Sequence, residues 1–261
     1  MGIGTLIELT SSQHKMEKIK RQLYKIYRHL NGHQTIVIST DQKLNDFNSQ
    51  MRIHGILNLL KASNRSVVFR SFVRRSETLI WLGDRPPTFS PQINDEHWLL
   101  WPRPDISDSS FRELTNSANG SALVCFSNHA QLPLINKTDV KSILLPDPMH
   151  ALFGLLDQHP LGQGCLRVTG DKGWEELLLP SRIALLARIE AAQAIGLSLH
   201  FTANLVRCRL IERARRVVVA HAKVQSDRIG PGLLAALLGR RFFVVGENKS
   251  NISAYWETWN N

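Results

Sequence analysis

The chain has 261 residues, of which 43% are hydrophobic and 21% are charged, and its formal net charge is +10. This length and this balance predict folded domains and exclude a largely disordered chain. The excess of Lys and Arg favours an anionic partner, which nucleic acid, a phosphorylated metabolite or an anionic membrane surface would each provide.

Two features of the sequence predict a cytoplasmic protein. The start, MGIGTLIELTSSQ, is too short and too polar for a secretory signal, and no run of about 18 apolar residues is present to span a bilayer. The cysteines, Cys125, Cys165 and Cys208, have no C-x-x-C spacing, so neither a disulfide framework nor a zinc site is indicated. We predict no metal ion and no cofactor.

The first 30 residues contain a basic amphipathic pattern. Over residues 12–30, apolar residues recur at spacings of three and four, which places them on one helix face. The other faces are rich in Lys and Arg. Such a helix can lie on anionic lipid or dock on its own domain, and docking is the more common arrangement. The residues on the apolar face are Met16, Ile19, Leu23, Ile26 and Leu30.

Strand and helix patterns alternate over residues 31–145. TIVIST, which begins at Thr35, predicts a buried strand, residues 51–60 predict a helix, and SVVFRSF predicts the next strand. Four further short strands are predicted in ETLIWLG, WLLW, ALVCFS and SILLP. This rhythm predicts a first α/β domain over residues 31–145, with a boundary near residues 146–159.

Residues 146–261 predict a second α/β domain. Its predicted strands are GCLRVTGD, LSLHFT, RRVVVAH and RRFFVVGEN, and its predicted helices are RIALLARIEAAQAIG, LVRCRLIERA, GLLAALLG and the closing ISAYWETW. This alternation is typical of a parallel sheet with helices on both faces. The predicted fold class is therefore α/β, with two Rossmann-like units facing one cleft in a GT-B-like arrangement.

The stretch SDRIGPGLLAALLG joins a predicted strand to a predicted helix. Asp227 and Arg228 fall at the carboxyl end of that strand, where doubly wound sheets bind their ligands. Gly230 and Gly232 leave the amides of the first helical turn uncovered, so this helix N-terminus could accept an anion together with Arg228. From spacing alone, a strand-to-helix turn in which Asp227 pairs with Arg228 is an equally good interpretation.

Three blocks follow one another in the second half of the chain. They are LLPDPMHALFG at residues 144–154, SDRIGPGLLAALLG at residues 226–239 and VVGENKSNISAYWETW at residues 244–259. In order and separation they resemble the polysaccharide pyruvyl transferase family of exopolysaccharide biosynthesis. That family has a Pro-Asp block, an Asp-Arg-Leu-His helix start, and a terminal strand followed by an Asn/Lys loop and a Trp-ending helix.

The resemblance implies an enzyme that transfers pyruvate from phosphoenolpyruvate to two hydroxyls of one sugar. The product is a cyclic ketal on a lipid-linked oligosaccharide precursor of a surface polysaccharide. The implied partners are phosphoenolpyruvate and this lipid-linked acceptor, with an anionic membrane surface as a further candidate and a peripheral location at the inner membrane. The basic cluster RCRLIERARR matches no recognisable nucleic-acid-binding pattern, so no nucleic acid is predicted.

The resemblance also assigns roles to individual residues. The reaction needs cations for the phosphate and carboxylate, an acid for the methylene carbon and a base for the attacking hydroxyl. Asp227 matches the family's Asp as a catalytic residue, and Arg228 matches the Arg that would bind the donor's anionic groups. Asp147 matches the acid of the Pro-Asp block, and Asn248 and Lys249 match the Asn/Lys loop, all three as substrate-binding residues.

The chain departs from the family where two imidazoles are expected. The corresponding positions are Gly230 and Gly232, which we keep as candidate binding residues. His221 and His150 are the candidate catalytic replacements, because the ordinary pKa of imidazole suits proton transfer near neutral pH. For either histidine, a surface or core position without a chemical role is the alternative.

Two other functions therefore stay open. One is a catalytically altered or inactive family member with a binding role. The other is a GT-B glycosyltransferase that uses a nucleotide sugar, because fold alone does not fix function.

Overall fold

Two sheets and the helices around them form the described part of the chain. The computed structural model describes residues 6–7, 13–30, 35–40, 47–61, 65–69, 77–87, 98–118, 122–135, 139–152, 160–169, 180–194, 200–246 and 249–260. The fold is mixed α/β with a six-stranded parallel sheet, consistent with a Rossmann-like arrangement. The predicted α/β class is confirmed.

The strands are β1 Leu6–Ile7, β2 Thr35–Ser39, β3 Ser66–Phe69, β4 Glu77–Trp81, β5 Trp98–Leu100, β6 Leu123–Phe126, β7 Lys141–Leu144, β8 Cys165–Val168, β9 Lys223–Ser226 and β10 Arg241–Val244. The helices are α1 Gln13–Tyr24, α2 Ile26–His29, α3 Phe47–Leu60, α4 Asp108–Ser117, α5 Leu132–Ile135, α6 Pro180–Ala194, α7 His200–Val219, α8 Ile229–Leu237 and α9 Lys249–Asn260. Short 3₁₀ turns occur at His129–Gln131 and Pro148–Ala151.

The larger sheet has the strand order β3-β2-β4-β5-β6-β7, and all its strands are parallel. Its two faces are both apolar, as expected for a parallel sheet that is covered on both sides. In β2, Ile36 and Ile38 join one core cluster while Val37 joins the other, because successive side chains of a strand point to opposite faces. Helices α4 and α5 cover the Val37 face through Phe111 and Leu134.

The smaller sheet has the strand order β1-β10-β9-β8. Strands β8, β9 and β10 are parallel, and β1 pairs antiparallel with β10 at the edge. The first strand of the chain thus completes a sheet whose other strands lie between residues 165 and 244. The core cluster that contains Ile36 also contains Val224 of β9 and Phe242 of β10, so one apolar core runs through both sheets. The domain boundaries expected from the sequence stay a prediction.

Two segments predicted as strands belong to a helix instead. Helix α7 contains the described part of LSLHFT and most of RRVVVAH. Leu210, Ala214 and Val218 recur every four residues and are all buried, so they form an apolar helical stripe. Burial of this stripe outweighs the preference of the valine run for a strand. The strand that precedes Asp227 is β9. Its sequence, KVQS, is mostly polar, although the strand is central in the smaller sheet and pairs with β8 and β10.

The basic N-terminal segment docks on the main core of the protein. Ile19, Leu23, Ile26 and Leu30 are all buried in the main core, so the face predicted to be apolar is covered by protein. The segment forms α1 and α2, which meet at Lys25, and the Tyr27 hydroxyl donates a hydrogen bond to the carbonyl of Leu59 in α3. In the part of the chain that the structure describes, no helix is both long and apolar enough to cross a bilayer.

Helix α9 closes the molecule over the larger sheet. Trp259 Nε1 donates to the carbonyl of Ser127 at 2.7 Å, and Asn251 Nδ2 donates to the carbonyl of Ile106 at 3.2 Å. Ser127 directly follows β6, and Ile106 lies beyond the end of β5. The C-terminal helix therefore packs at the carboxyl ends of the strands, and its tryptophans are buried anchors.

Candidate functional site

The N-termini of two helices meet at the candidate site. One helix follows a strand of the larger sheet, and the other follows a strand of the smaller sheet. Helix α3 follows β2 and α8 follows β9, so both begin at the carboxyl ends of parallel strands. Asn48, the second residue of α3, touches Gly230, the second residue of α8: a Cβ on Gly230 would overlap the Asn48 side chain. Because a helix N-terminus carries partial positive charge, this junction favours an anion.

A cavity of about 10 Å³ lies at this junction, which is room for about one water molecule. Three arginines, Arg52, Arg103 and Arg228, contribute to its wall together with two carboxylates, Asp105 and Asp147. Of the residues predicted from the sequence, the structure brings Asp147, Arg228 and Gly230 together here. Asn48, Arg52, Arg103 and Asp105 also contribute to the wall, and the sequence did not single them out.

Arg52 and Asp147 form a buried ion pair in the wall of the cavity. Arg52 Nε donates to Asp147 Oδ2 at 2.9 Å. Its Nη1 donates to the carbonyl of Leu82 at 3.0 Å, and its Nη2 donates to those of Trp101 and Pro102 at 2.6 and 2.9 Å. Leu82 follows β4, Trp101 follows β5 and Asp147 lies beyond β7, so this one guanidinium links three strand ends to α3.

Asp147 is held at both of its carboxylate oxygens. Besides the bond from Arg52, its Oδ1 accepts from the Met149 amide at 2.9 Å and so caps the turn Pro148–Ala151. The amide of Asp147 in turn donates to the Tyr255 hydroxyl of α9 at 2.9 Å. Burial raises the pKa of Asp147, and Arg52 opposes that rise. These contacts suit a residue that positions Arg52 and α9.

Asp105 is the second carboxylate of the cavity. Its side chain is 8% exposed, and its Oδ1 lies 3.9 Å from Arg103 Nε. Arg103 is engaged mainly with Asp84, to which its Nε and its amide donate at 2.6 and 3.1 Å. Burial is the largest effect on Asp105 and raises its pKa, while Arg103 lowers it. A carboxyl with a raised pKa at a cavity is a candidate acid.

Asp227 and Arg228 directly follow β9 and join it to α8. Arg228 is the N-cap residue of α8, and its amide donates to Ser226 Oγ at 3.1 Å. Its side chain reaches the cavity wall. Asp227 lies beside Gly246, where a Cβ would come 3.1 Å from the Asp227 Cβ, and Gly246 has a φ of +89°. Asp227 is therefore placed toward the end of β10.

Neither of the two candidate histidines lines the cavity. His150 is 3% exposed and stacks on Tyr255, with ring centroids 6.1 Å apart. Burial lowers the pKa of His150 to about 3, and neither ring nitrogen has a hydrogen-bond partner among the described residues. His221 follows α7 rather than a strand, and its Nδ1 lies 2.8 Å from the carbonyl of Val217. It precedes β9 and so lies at the opposite end of that strand from Asp227.

The remaining predicted residues have mixed positions. Gly232 packs against the ring of Phe242, which leaves no room for a Cβ, so its absent side chain is explained by packing between α8 and β10. Lys249 is the first residue of α9, and its side chain lies outside the described part of the structure. Asn248 also lies outside the described residues.

Comparisons with known proteins support the fold alone. No family model and no curated protein matches the chain. A solved structure of the uncharacterized protein KP1_0663 from Klebsiella pneumoniae subsp. pneumoniae NTUH-K2044 is similar, with a TM-score of 0.55 and 11% sequence identity. The match covers 95% of this chain and 94% of that chain. A likeness of fold does not define a function.

Proposed function

We propose that this protein is a GT-B-like pyruvyl transferase that moves pyruvate from phosphoenolpyruvate to a sugar of a lipid-linked polysaccharide precursor. The proposal rests on the meeting of the α3 and α8 N-termini at the carboxyl ends of strands from both sheets. Arg228 and Asp105 line the cavity at that junction. Two helix N-termini and a cation suit the phosphate and carboxylate of the donor.

The chemistry of ketal formation defines what the residues must do. Two sugar hydroxyl oxygens form bonds to C2 of phosphoenolpyruvate, and the bond from C2 to the phosphate oxygen breaks. The two hydroxyls lose two protons in total. The methylene carbon gains one proton and becomes a methyl group, and the other proton leaves with phosphate. Asp105 is the proposed acid, because burial raises its pKa, and Arg228 is the proposed donor contact. Asp227 stays the candidate base.

The site must open before a donor can bind. A cavity of about 10 Å³ holds one water, whereas phosphoenolpyruvate is several times larger. Asn48 and Gly230 close the gap between α3 and α8, so donor binding requires these two helix N-termini to separate. Opening and closing of a cleft around a ligand is a common motion in enzymes with two units.

Calorimetry with phosphoenolpyruvate tests the donor assignment. Arg228→Ala should weaken binding about tenfold or more, because a charged hydrogen-bond donor to the anion is lost. Arg241→Ala is the matched control, since Arg241 is exposed on β10. The neighbouring Arg240 is unsuitable, because it is buried and donates to the carbonyl of Pro160 at 2.6 Å. Equal effects of Arg228→Ala and Arg241→Ala would contradict the assignment.

One observation favours a second candidate, a non-catalytic family member with a binding role. Position 230 is a glycine, where the resemblance leads one to expect an imidazole. The Asn48 side chain occupies the space that a side chain at position 230 would need. An assay for the pyruvate ketal with a lipid-linked acceptor separates the two candidates. Turnover excludes the second candidate, whereas phosphoenolpyruvate binding without turnover supports it.

We further propose that the protein works in the cytoplasm, at the inner membrane surface. Because Ile19 and Leu23 are buried, attraction of α1 to lipid would depend on its basic residues rather than on apolar insertion. Binding to vesicles that contain anionic lipid should therefore fall steeply as salt rises. Salt-independent binding would contradict this form of attachment.

A further inference from the structure

A larger pocket lies at the other end of α3 from the candidate site. Its volume is about 430 Å³, which is in the range of small-molecule sites. The last two turns of α3, the start of β3 and the first half of α7 form its walls. The pocket is thus at the amino end of β3, whereas the cavity at Asn48 is at the carboxyl ends of the strands.

The walls of this pocket combine cations with an apolar surface. Lys61 and Arg65 supply the positive charge. The Arg65 guanidinium lies 5.9 Å from the centroid of the Tyr27 ring, a cation–π contact that restrains it. The apolar part of the wall consists of Leu57, Leu60 and Val67.

Asn204 presents a hydrogen-bond donor at the pocket. Arg207 Nη1 donates to Asn204 Oδ1 at 2.6 Å, and Arg207 Nε donates to Gln50 Oε1 at 3.0 Å. Since the oxygen of the Asn204 carboxamide faces Arg207, its amide nitrogen is the atom that can donate to a ligand. An amide donor beside two cations suits an anionic group.

His54 and Cys208 form a pair in the same wall. Cys208 Sγ lies 3.9 Å from His54 Nε2. Burial, and to a smaller extent the nearby positive charge of Arg207, lowers the pKa of His54 to about 4, so this imidazole is neutral at physiological pH. Its Nδ1 is buried and has no hydrogen-bond partner among the described residues.

We propose that this pocket binds a small organic anion. Lys61, Arg65 and the Asn204 amide hold its negative group, and Leu57, Leu60 and Val67 cover its apolar part. Cys208 lies in the wall, so an occupant shields its thiol. The proposal is independent of the function proposed for the cavity between α3 and α8.

The thiol of Cys208 provides a built-in reporter for this pocket. It is labelled with an anionic aromatic disulfide, dithiobis-nitrobenzoate, or with a neutral one, dithiodipyridine. In each reaction the thiolate attacks the reagent, a new mixed disulfide forms, the reagent's S–S bond breaks and an aromatic thiolate leaves, while the thiol proton goes to solvent. A Cys165→Ser variant reports Cys208 and a Cys208→Ser variant reports Cys165, which is also exposed; Cys125 is buried in both variants.

The decisive quantity is the ratio of the anionic to the neutral labelling rate. We expect it to be roughly tenfold or more higher at Cys208 than at Cys165, because a cationic cleft concentrates anions. Lys61→Gln should lower the ratio at Cys208, whereas Lys141→Gln, which removes an exposed lysine on β7, should leave it unchanged. Equal ratios at the two cysteines would overturn the proposal.

Protection experiments distinguish a carboxylate from a phosphate as the anionic group that the pocket binds. Benzoate that slows labelling of Cys208 by the neutral reagent identifies a carboxylate site, and inorganic phosphate that does so identifies a phosphate site. Labelling of Cys165 should be unaffected by either anion. If neither anion slows the labelling of Cys208, the pocket is not an anion site and the proposal fails.

Discussion

Arg52 of α3 and Asp147, which follows β7, form an ion pair with an Nε to Oδ2 distance of 2.9 Å, although their side chains are only 2% and 1% exposed. The two residues are 95 positions apart in the chain. Withdrawal of two charges from water costs free energy that the pair and its hydrogen bonds offset only while both partners are present. The stability of the protein should therefore be sensitive to replacement of either member of this pair.

Replacement of Arg52 should strongly destabilise the protein. Arg52→Met keeps much of the volume but leaves the Asp147 carboxylate buried without its cation, along with the carbonyls of Leu82 and Trp101. We expect the free energy of unfolding to fall by about 3–5 kcal/mol in urea titrations. Arg103→Met is the matched control, because Arg103 is 37% exposed and its ion pair is worth about 1 kcal/mol or less. Similar losses in the two variants would count against a buried pair.

Acid should destabilise the protein through His150. Burial lowers the folded-state pKa of His150 to about 3 from its ordinary value of 6.5. Below that ordinary value the unfolded chain binds a proton that the folded protein does not, so the free energy of unfolding falls as the pH falls toward 3. The expected loss at about pH 5 is about 2 kcal/mol relative to neutral pH.

His150→Phe should remove this part of the pH dependence. At neutral pH the variant should be about as stable as the wild type, because two buried nitrogens without described partners are replaced by carbon in a ring of similar size. Urea titrations of both proteins at neutral and acidic pH provide the comparison. An equal acid-induced loss in the variant would show that other groups cause it.

The contact between Gly230 and Asn48 should appear as energetic coupling. Gly230→Ala places a methyl group onto the Asn48 side chain, and we expect a loss of about 1–3 kcal/mol from overpacking. Asn48→Ala creates room at the same place, so the double variant should lose less than the sum of the two single losses. Thermal or urea unfolding of the four proteins measures this difference, and strict additivity would argue against the close approach.

The docking of α1 predicts a stability change from a single leucine. Leu23 is fully buried in the main core, so Leu23→Ala should lower the free energy of unfolding by about 2–5 kcal/mol. Lys18→Ala, on the exposed side of the same helix, should change it by less than about 0.5 kcal/mol. A helix that lay on lipid instead of protein would show no such difference in the absence of membranes.

Several parts of the site could be predicted from the sequence and others could not. The placement of Asp227 and Arg228 after a strand and before a helix follows from local pattern, and Arg228 does reach the cavity. The strand predicted before them, RRVVVAH, was wrong, because most of this segment belongs to helix α7. Its β-branched residues favour a strand, but burial of the apolar helical stripe outweighs that preference. His221 was misplaced for the same reason, since α7 ends where a strand was expected.

Asp105 could have been found with the rule that served for Asp227. It lies a few residues after the predicted strand WLLW, and thus beyond the carboxyl end of β5. Arg52 gives no comparable local signal, because it lies within a helix rather than after the end of a strand. Its role depends on strands β4, β5 and β7 lying side by side.

The sequence by itself determined the α/β class and most of its strands, the buried face of the first helix and the positive charge, since each depends on composition or on periodicity over a few residues. Only the tertiary structure decided that Asn48 meets Gly230, that Arg52 neutralises Asp147 and that His54 faces Cys208. These contacts join distant parts of the chain, and sheet order and burial select them. The same burial shifts the pKa values of Asp105, Asp147 and His150, so their chemistry also follows from the folded state.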